Sequence, residues 1–182
     1  MKDATLCFLV RGDPPQDVLL GFKKTGFGAG KRNGIGGKIE DGEAVARAAA
    51  REMYEETGVR VAEADLLPVA LLIFVFPARP EWDQVVYAFL AKTWQGEPVE
   101  TDEMRPGWFP VAAIPFDQMW QDDAYWLPRV LQGERLKARF VFGEDNEAVI
   151  AAEIEPWDGV IGGKARQGMN SLATDAKSTQ VD

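Results

Sequence analysis

The stretch that most restricts the fold of this chain is residues 41–58, DGEAVARAAAREMYEETG. Alanines and long unbranched side chains carry a helix from Asp41, a candidate N-cap, through Tyr54, and Gly58 is positioned to end it. Ala46, Ala50, Met53 and Thr57 share one side of that helix, the expected core face. Glu52, Glu55 and Glu56 share another, because offsets of three and four residues return to the same side. Like charges at that spacing repel by about a few tenths of a kcal/mol per pair. A solvated acidic face, supported by the i,i+4 pairs Glu43–Arg47 and Arg51–Glu55, is one reading. A divalent-metal site, in which a cation relieves the repulsion, is the other.

Everything around this helix reads mostly as strand. ATLCFLVR (4–11) and DVLLGFK (17–23) are apolar runs separated by the turn GDPP. A glycine-rich loop, KKTGFGAGKRNGIGGK (23–38), leads into the helix. PVALLIFVF (68–76), QVVYAFLAKTW (84–94) and the short GWFPV (107–111) follow as strands. DDAYWLPRVLQ (122–132) is a second helix, capped by Asp122 or Asp123 and kinked at Pro128. RLKARFVFG and EAVIAAEIE close the domain as a hairpin around EDN. Strands with a few helices predict one α/β (α+β) domain over residues 1–155. From residue 156 to 182 the chain is small and polar without periodicity, and a disordered tail is expected there.

Composition narrows the chemistry. Histidine is absent and Cys7 is the only cysteine, so Ser–His–Asp and Cys–His nucleophile systems, His- or thiolate-bound zinc and internal disulfides are excluded. Catalysis must run on carboxylates, Lys and Arg, hydroxyls and hard cations such as Mg²⁺. A net charge of −9 argues against stable nucleic-acid binding but allows a metal-bound polyphosphate. The lone cysteine, the absence of a signal-peptide pattern and the absence of an apolar run near the roughly 18 residues of a membrane span predict a cytoplasmic protein.

The segment before the helix decides between the two readings of the glutamates. GKIEDGEAVARAAAREMYEETGV (37–59) matches the Nudix signature at every defined position: Gly37, Glu43, Arg51-Glu52, Met53, Glu55-Glu56, Gly58 and Val59. The resemblance implies a Nudix α/β/α sandwich, with a mixed β-sheet between helices and the signature as loop–helix–loop. It also implies metal-dependent hydrolysis of a nucleoside diphosphate linked to a further group. By that resemblance Glu52, Glu55 and Glu56 bind metal and one of them, or a later acid, is the base. Carbonyls of Gly36 or Gly37 join the ligand set, and Arg51 holds the glutamates in position. Mg²⁺ is the implied cofactor, with Mn²⁺ as an alternative.

VLLGFKKTGFGAGKRNGIGGK (18–38), GEPVETDEMRPGWF (96–109) and IPFDQMWQDDAYWLP (114–128) resemble the oxidised purine nucleoside triphosphatase branch, the MutT homologues. In that branch these segments line a base pocket. Lys23 is then a substrate contact, and Asn33 offers a donor and an acceptor to a purine edge, although either fits an ordinary basic loop or turn as well. Phe27, Phe74, Phe76 and Trp120 form an aromatic slot, with Phe74 and Phe76 on one strand face; a plain core would look the same. Asp122 and Asp123 hydrogen-bond the base, one of them holding a proton, the alternative being a cap and a first-turn acid. Glu103 completes the metal site and Met104 joins the pocket. The branch has a threonine where this chain has Phe8, and a pocket methionine near residues 82–84, where it reads Trp82-Asp83-Gln84. Both departures are expected to touch the base pocket. The expected protein is a monomeric Mg²⁺-dependent hydrolase of oxidised purine nucleoside triphosphates such as 8-oxo-dGTP, with 2-hydroxy-dATP as a further substrate. The rival readings are another Nudix specificity (ordinary dNTPs or methylated purine nucleotides) and a non-catalytic nucleotide sensor.

Overall fold

Where two apolar strands diverge, something must fill the wedge between them, and that wedge organises this molecule. In a computed structural model, which describes residues 1–162, β1 (Lys2–Arg11) and β2 (Asp17–Lys23) form the first hairpin. They pair at only two positions, Val10 with Val18 and Arg11 with Asp17. Beyond these, β1 turns to lie parallel to β5 (Gln84–Ala91), and β2 runs antiparallel to β6 (Met104–Pro110). The glycine-rich segment occupies the gap. Asn33, in the two-residue strand β3 (Arg32–Asn33), pairs with Gly21, while Ile35 bridges Cys7 and Lys38 bridges Ala4.

The remaining strands are β4 (Leu67–Val75), β7 (Leu136–Phe142) and β8 (Val149–Pro156). The sheet runs β3-β2-β1-β5-β4-β7-β8 with β6 on the other edge of β2; β1–β5 and β4–β7 are parallel and the rest antiparallel. Both faces are buried. Along β1, Phe8 and Val10 enter one apolar cluster and Cys7 and Leu9 the other, as the two-residue period requires. Helix α1 (Val45–Thr57) covers the second cluster with Ala48, Ala49 and Met53, and helix α2 (Asp123–Leu131) covers the first with Trp126, Leu127 and Val130. This is the expected mixed sheet between helices.

Four local expectations are corrected. α1 begins at Val45, and its N-cap position is Ala44 without a side-chain cap; Asp41 lies in an exposed turn. Gly42 has φ 78°, a left-handed conformation that a helix cannot include. The buried side of α1 is Ala48, Ala49, Met53, Glu56 and Thr57, so Glu56 belongs to the core side and not to an open acidic face. Glu43 precedes the helix and pairs with Arg51, while Arg47 pairs with Glu63 instead. Gly58 does end α1, at φ 76°, its N–H donating to the Tyr54 carbonyl. α2 runs on past Pro128 to Leu131. The expected closing hairpin is present as β7–β8, and Asp145 Oδ1 accepts the N–H groups of Glu147 and Ala148 in its turn. Of the tail expected from residue 156, Trp157 donates its N–H to the Arg135 carbonyl, and Trp157 and Ile161 pack on the α1-side cluster. The rest of that tail, 163–182, lies outside the described residues.

Candidate active site

The wedge segment forms part of the wall of a cavity of about 490 Å³. Lys23, Phe27, Asn33, Phe74, Met104, Trp120, Asp122 and Asp123, separated by up to a hundred positions in sequence, all line it, together with Gly36 and Gly37. Phe27, between Gly26 and Gly28 with φ of 76° and 78°, stacks on Trp120 at 5.3 Å and 19°. Phe76, also on the wall, stands edge-on to Trp120 at 6.2 Å. Asn33 Oδ1 accepts the Gly34 N–H at 2.8 Å, so the turn role and the wall position are held by one residue. Phe8, expected at the pocket, is absent from its wall: the side chain is wholly buried, its ring against Gly34 and edge-on to Trp126 at 5.8 Å.

Two carboxyl groups lie deep in this aromatic enclosure. Asp122 and Asp123 are 3 % and 2 % exposed, at the start of α2. The Trp126 Nε1–H donates to Asp122 Oδ2 at 3.0 Å, whereas Asp123 Oδ2 is buried without a partner among the described residues. Burial pushes the Asp122 carboxyl up to about 7, against the pull of the Trp126 hydrogen bond. Burial, and then the charge of Asp122, hold Asp123 well above the ordinary carboxylate range. Neither caps α2 through its side chain. Burial disfavours charge on both carboxyls, so the pair favours holding a proton, with one group able to donate and the other to accept.

The α1 acids sit behind Gly36 and Gly37. Glu56, 4 % exposed, accepts the Gly36 N–H at 3.2 Å. Burial, then the charge of Glu52, pushes it up to about 7, with Lys23 opposing. Burial also raises Glu52, despite Arg51. Arg51 gathers the others: its guanidinium meets Glu43 at 2.8 Å, Glu52 at 2.9 Å, Glu55 at 3.1 Å and the Lys38 carbonyl at 3.1 Å. Glu43, hydrogen-bonded to Arg51, is held below its usual range. Thr101 Oγ1 donates to the Glu56 carbonyl at 3.0 Å and accepts the Met104 N–H, which ties the turn carrying Glu103 to the end of α1. The charge of Glu103 reaches both Glu52 and Glu56.

A NUDIX domain profile matches residues 2–130, more than half of the chain. The chain belongs to the NUDIX family. A Danio rerio protein named oxidized purine nucleoside triphosphate hydrolase is 46 % identical over 142 residues, 78 % of this chain and 89 % of that protein. The Mus musculus protein of the same name is 40 % identical over 158 residues, 87 % and 99 % of the two chains. Among solved structures, MutT from Bacillus halodurans superposes with a TM-score of 0.69 over 85 % of this chain and 98 % of that one; at 22 % identity it speaks for the fold alone.

NUDIX hydrolases use divalent metals, and the residues here suit one. Glu52 and Glu56 are raised partly by acids packed beside them, a repulsion a cation relieves. Gly37 leaves the room: a Cβ there would lie 2.6 Å from the Glu52 carboxylate. Glu52, Glu55, Glu56 and Glu103, expected as one ligand set, are nonetheless not gathered into a metal-holding cluster among the described residues. Glu52 and Glu55 bond Arg51, and Glu56 bonds the Gly36 N–H. Sequence reasoning missed Phe142 on the cavity wall, whereas Trp82 and Gln84, from the stretch where a departure was expected to touch the pocket, do line the cavity. Phe142 stacks on Phe76 at 4.4 Å and 5°. The pairing of β7 with β4 puts them together, and no local pattern signals it.

Proposed function

We propose that this NUDIX protein is an Mg²⁺-dependent pyrophosphohydrolase, with Mn²⁺ an alternative metal, that converts oxidised purine nucleoside triphosphates to the monophosphate and pyrophosphate. 8-oxo-dGTP is the principal substrate and 2-hydroxy-dATP a second. One observation carries the reading: a buried carboxyl pair, Asp122–Asp123, lines the same aromatic cavity as Lys23, Gly36 and Gly37, behind which lie the α1 acids. The names of the Danio rerio and Mus musculus relatives support the substrate class.

The base enters between the aromatic walls, where stacking on Trp120 is worth about 1–3 kcal/mol. Asp123 donates to it, Asp122 accepts, and the Asn33 amide donates from its nitrogen. A donor and an acceptor side by side read purines whose oxidation exchanges a lone pair for an N–H. Lys23 meets the phosphates at the acid end. Glu52, Glu55 and Glu56, with Glu103 and the Gly36 or Gly37 carbonyl, would hold the divalent cation, which supplies charge neutralisation on the phosphate oxygens. A carboxylate of this group takes the proton as water attacks a phosphorus, and pyrophosphate leaves. Arg51 keeps Glu52 and Glu55 oriented. The partner is a small nucleotide bound by a monomer, acting in the cytoplasm and not on nucleic acid.

The test is a kcat/KM panel of oxidised, methylated and ordinary nucleoside triphosphates with Mg²⁺, read by pyrophosphate release. The expected result is a strong preference for 8-oxo-dGTP over dGTP. Equal values would remove the specificity for oxidised nucleotides, and no turnover on any nucleotide would leave only a nucleotide-binding protein.

A further inference from the structure

The Trp82-Asp83-Gln84 stretch, which departs from the branch this chain resembles, makes up one side of the cavity. Trp82 and Gln84 both line it, and neither appears in the set of residues just given a role. Asp83 between them faces away from the space and acts as the clamp. Its Oδ1 accepts the Phe76 N–H at 2.7 Å, and its carbonyl accepts the Lys2 N–H at 3.0 Å. A short 3-10 turn, Pro80–Trp82, is closed by the Trp82 N–H on the Arg79 carbonyl, and the Arg79 guanidinium lies 5.5 Å over the indole. The indole is thus fixed from both sides before any ligand arrives.

Its orientation defines what it can do. Trp82 meets Phe27 at 5.2 Å and 76°, and Phe76 at 5.7 Å and 80°, both edge-to-face. Phe27 in turn lies within 19° of the plane of Trp120. Trp82 therefore stands steeply across the plane of Trp120, and a ring stacked on Trp120 would meet it as an end wall. Gln84 follows on β5, on the same face as Val86, opposite Phe74 across the strand pair. Its side-chain amide makes no hydrogen bond with a described residue, so both donor and acceptor are available to a ligand.

We infer that Trp82 and Gln84 form a second base-reading wall of the cavity that the Asp122–Asp123 pair also lines, and that they set which substituted purine this chain prefers. The inference rests on the proposed nucleotide chemistry of the same cavity. Trp82 limits the extent of the ring system edge-on, and Gln84 reads a polar substituent there.

Two measurements test it on Trp82→Met, Trp82→Phe and Gln84→Leu: kcat/KM ratios among 8-oxo-dGTP, 2-hydroxy-dATP and dGTP, and calorimetric binding of the corresponding monophosphates. Trp82→Met and Gln84→Leu should each shift at least one ratio on the order of tenfold, the scale of one stacking or hydrogen-bonding contact. Trp82→Phe, which keeps an aromatic wall, should recover most of the wild-type ratio. A structural role alone would lower Tm and leave the ratios in place. Ratios and monophosphate affinities within twofold of wild type in both Trp82→Met and Gln84→Leu overturn the inference and leave the hydrolase reading intact. Wild-type protein that turns over none of the triphosphates, yet binds monophosphates with affinities these variants alter, keeps the wall and removes the reaction. Absence of any monophosphate binding removes both.

Discussion

Glu56 shows how one residue can be legible in type and hidden in state. Its position in the signature follows from sequence, but its burial and its proton do not. Held up to about 7 in the folded chain against an ordinary 4.5, it binds more protons folded than unfolded between those values. Stability of the metal-free protein therefore falls as pH rises through that window. Glu56→Gln should reduce the decline in Tm between about pH 4.5 and 7, leaving the parts that Asp122, Asp123 and Glu52, also raised by burial, contribute. The same variant should lose turnover by about 100-fold or more, the scale of removing a proton acceptor or metal ligand; retained kcat would reject the assignment. In the proposed base recognition, the proton on Asp123 is the group that donates. Asp123→Asn leaves a permanent donor in its place, so the preference between oxidised guanine and oxidised adenine nucleotides should shift, and unchanged selectivity in the triphosphate panel would refute the role.

At the scale of elements, the wedge between β1 and β2 makes two adjacent glycines unequal. A Cβ on Gly36 would overlap the Thr5 carbonyl, which is backbone and cannot yield, whereas a Cβ on Gly37 meets only the end of the Glu52 side chain. Gly36→Ala should cost about 1–3 kcal/mol in a denaturant titration, as overpacking does. Gly37→Ala should leave the denaturation midpoint nearly unchanged but lower kcat/KM by about tenfold or more, because the new Cβ displaces the Glu52 carboxylate. A common loss of stability in both would contradict this division. The strands were readable from their apolar runs, and the end of α1 from Gly58. Its start was not, because Asp41 has the right chemistry for a cap while Gly42 sits in a left-handed turn and Glu43 is drawn to Arg51.

For the molecule as a whole, the two parts of the site meet across the end of one sheet. A divalent cation should bind the folded chain alone and raise its Tm. At about 100 times the dissociation constant the gain is about 2.7 kcal/mol, roughly 5–10 °C for a chain of this size. The shift should be larger at pH 8 than at pH 5.5, since the carboxylates must lose their protons to bind. Calorimetry with and without EDTA checks both; a shift independent of pH would exclude the α1 acids as ligands. Among the described residues no helix is long and apolar enough to cross a membrane. The family, the strand-rich fold and the positions of the signature glutamates were legible in local sequence, since fixed spacing and two-residue alternation are properties of neighbours along the chain. Tertiary structure alone decided that Glu56 is buried, that Phe8 packs on Trp126 outside the cavity wall and that Phe142 completes the aromatic wall. Those outcomes depend on which strands pair and in what register, a choice made by burial across the sheet and not by the residues beside each position.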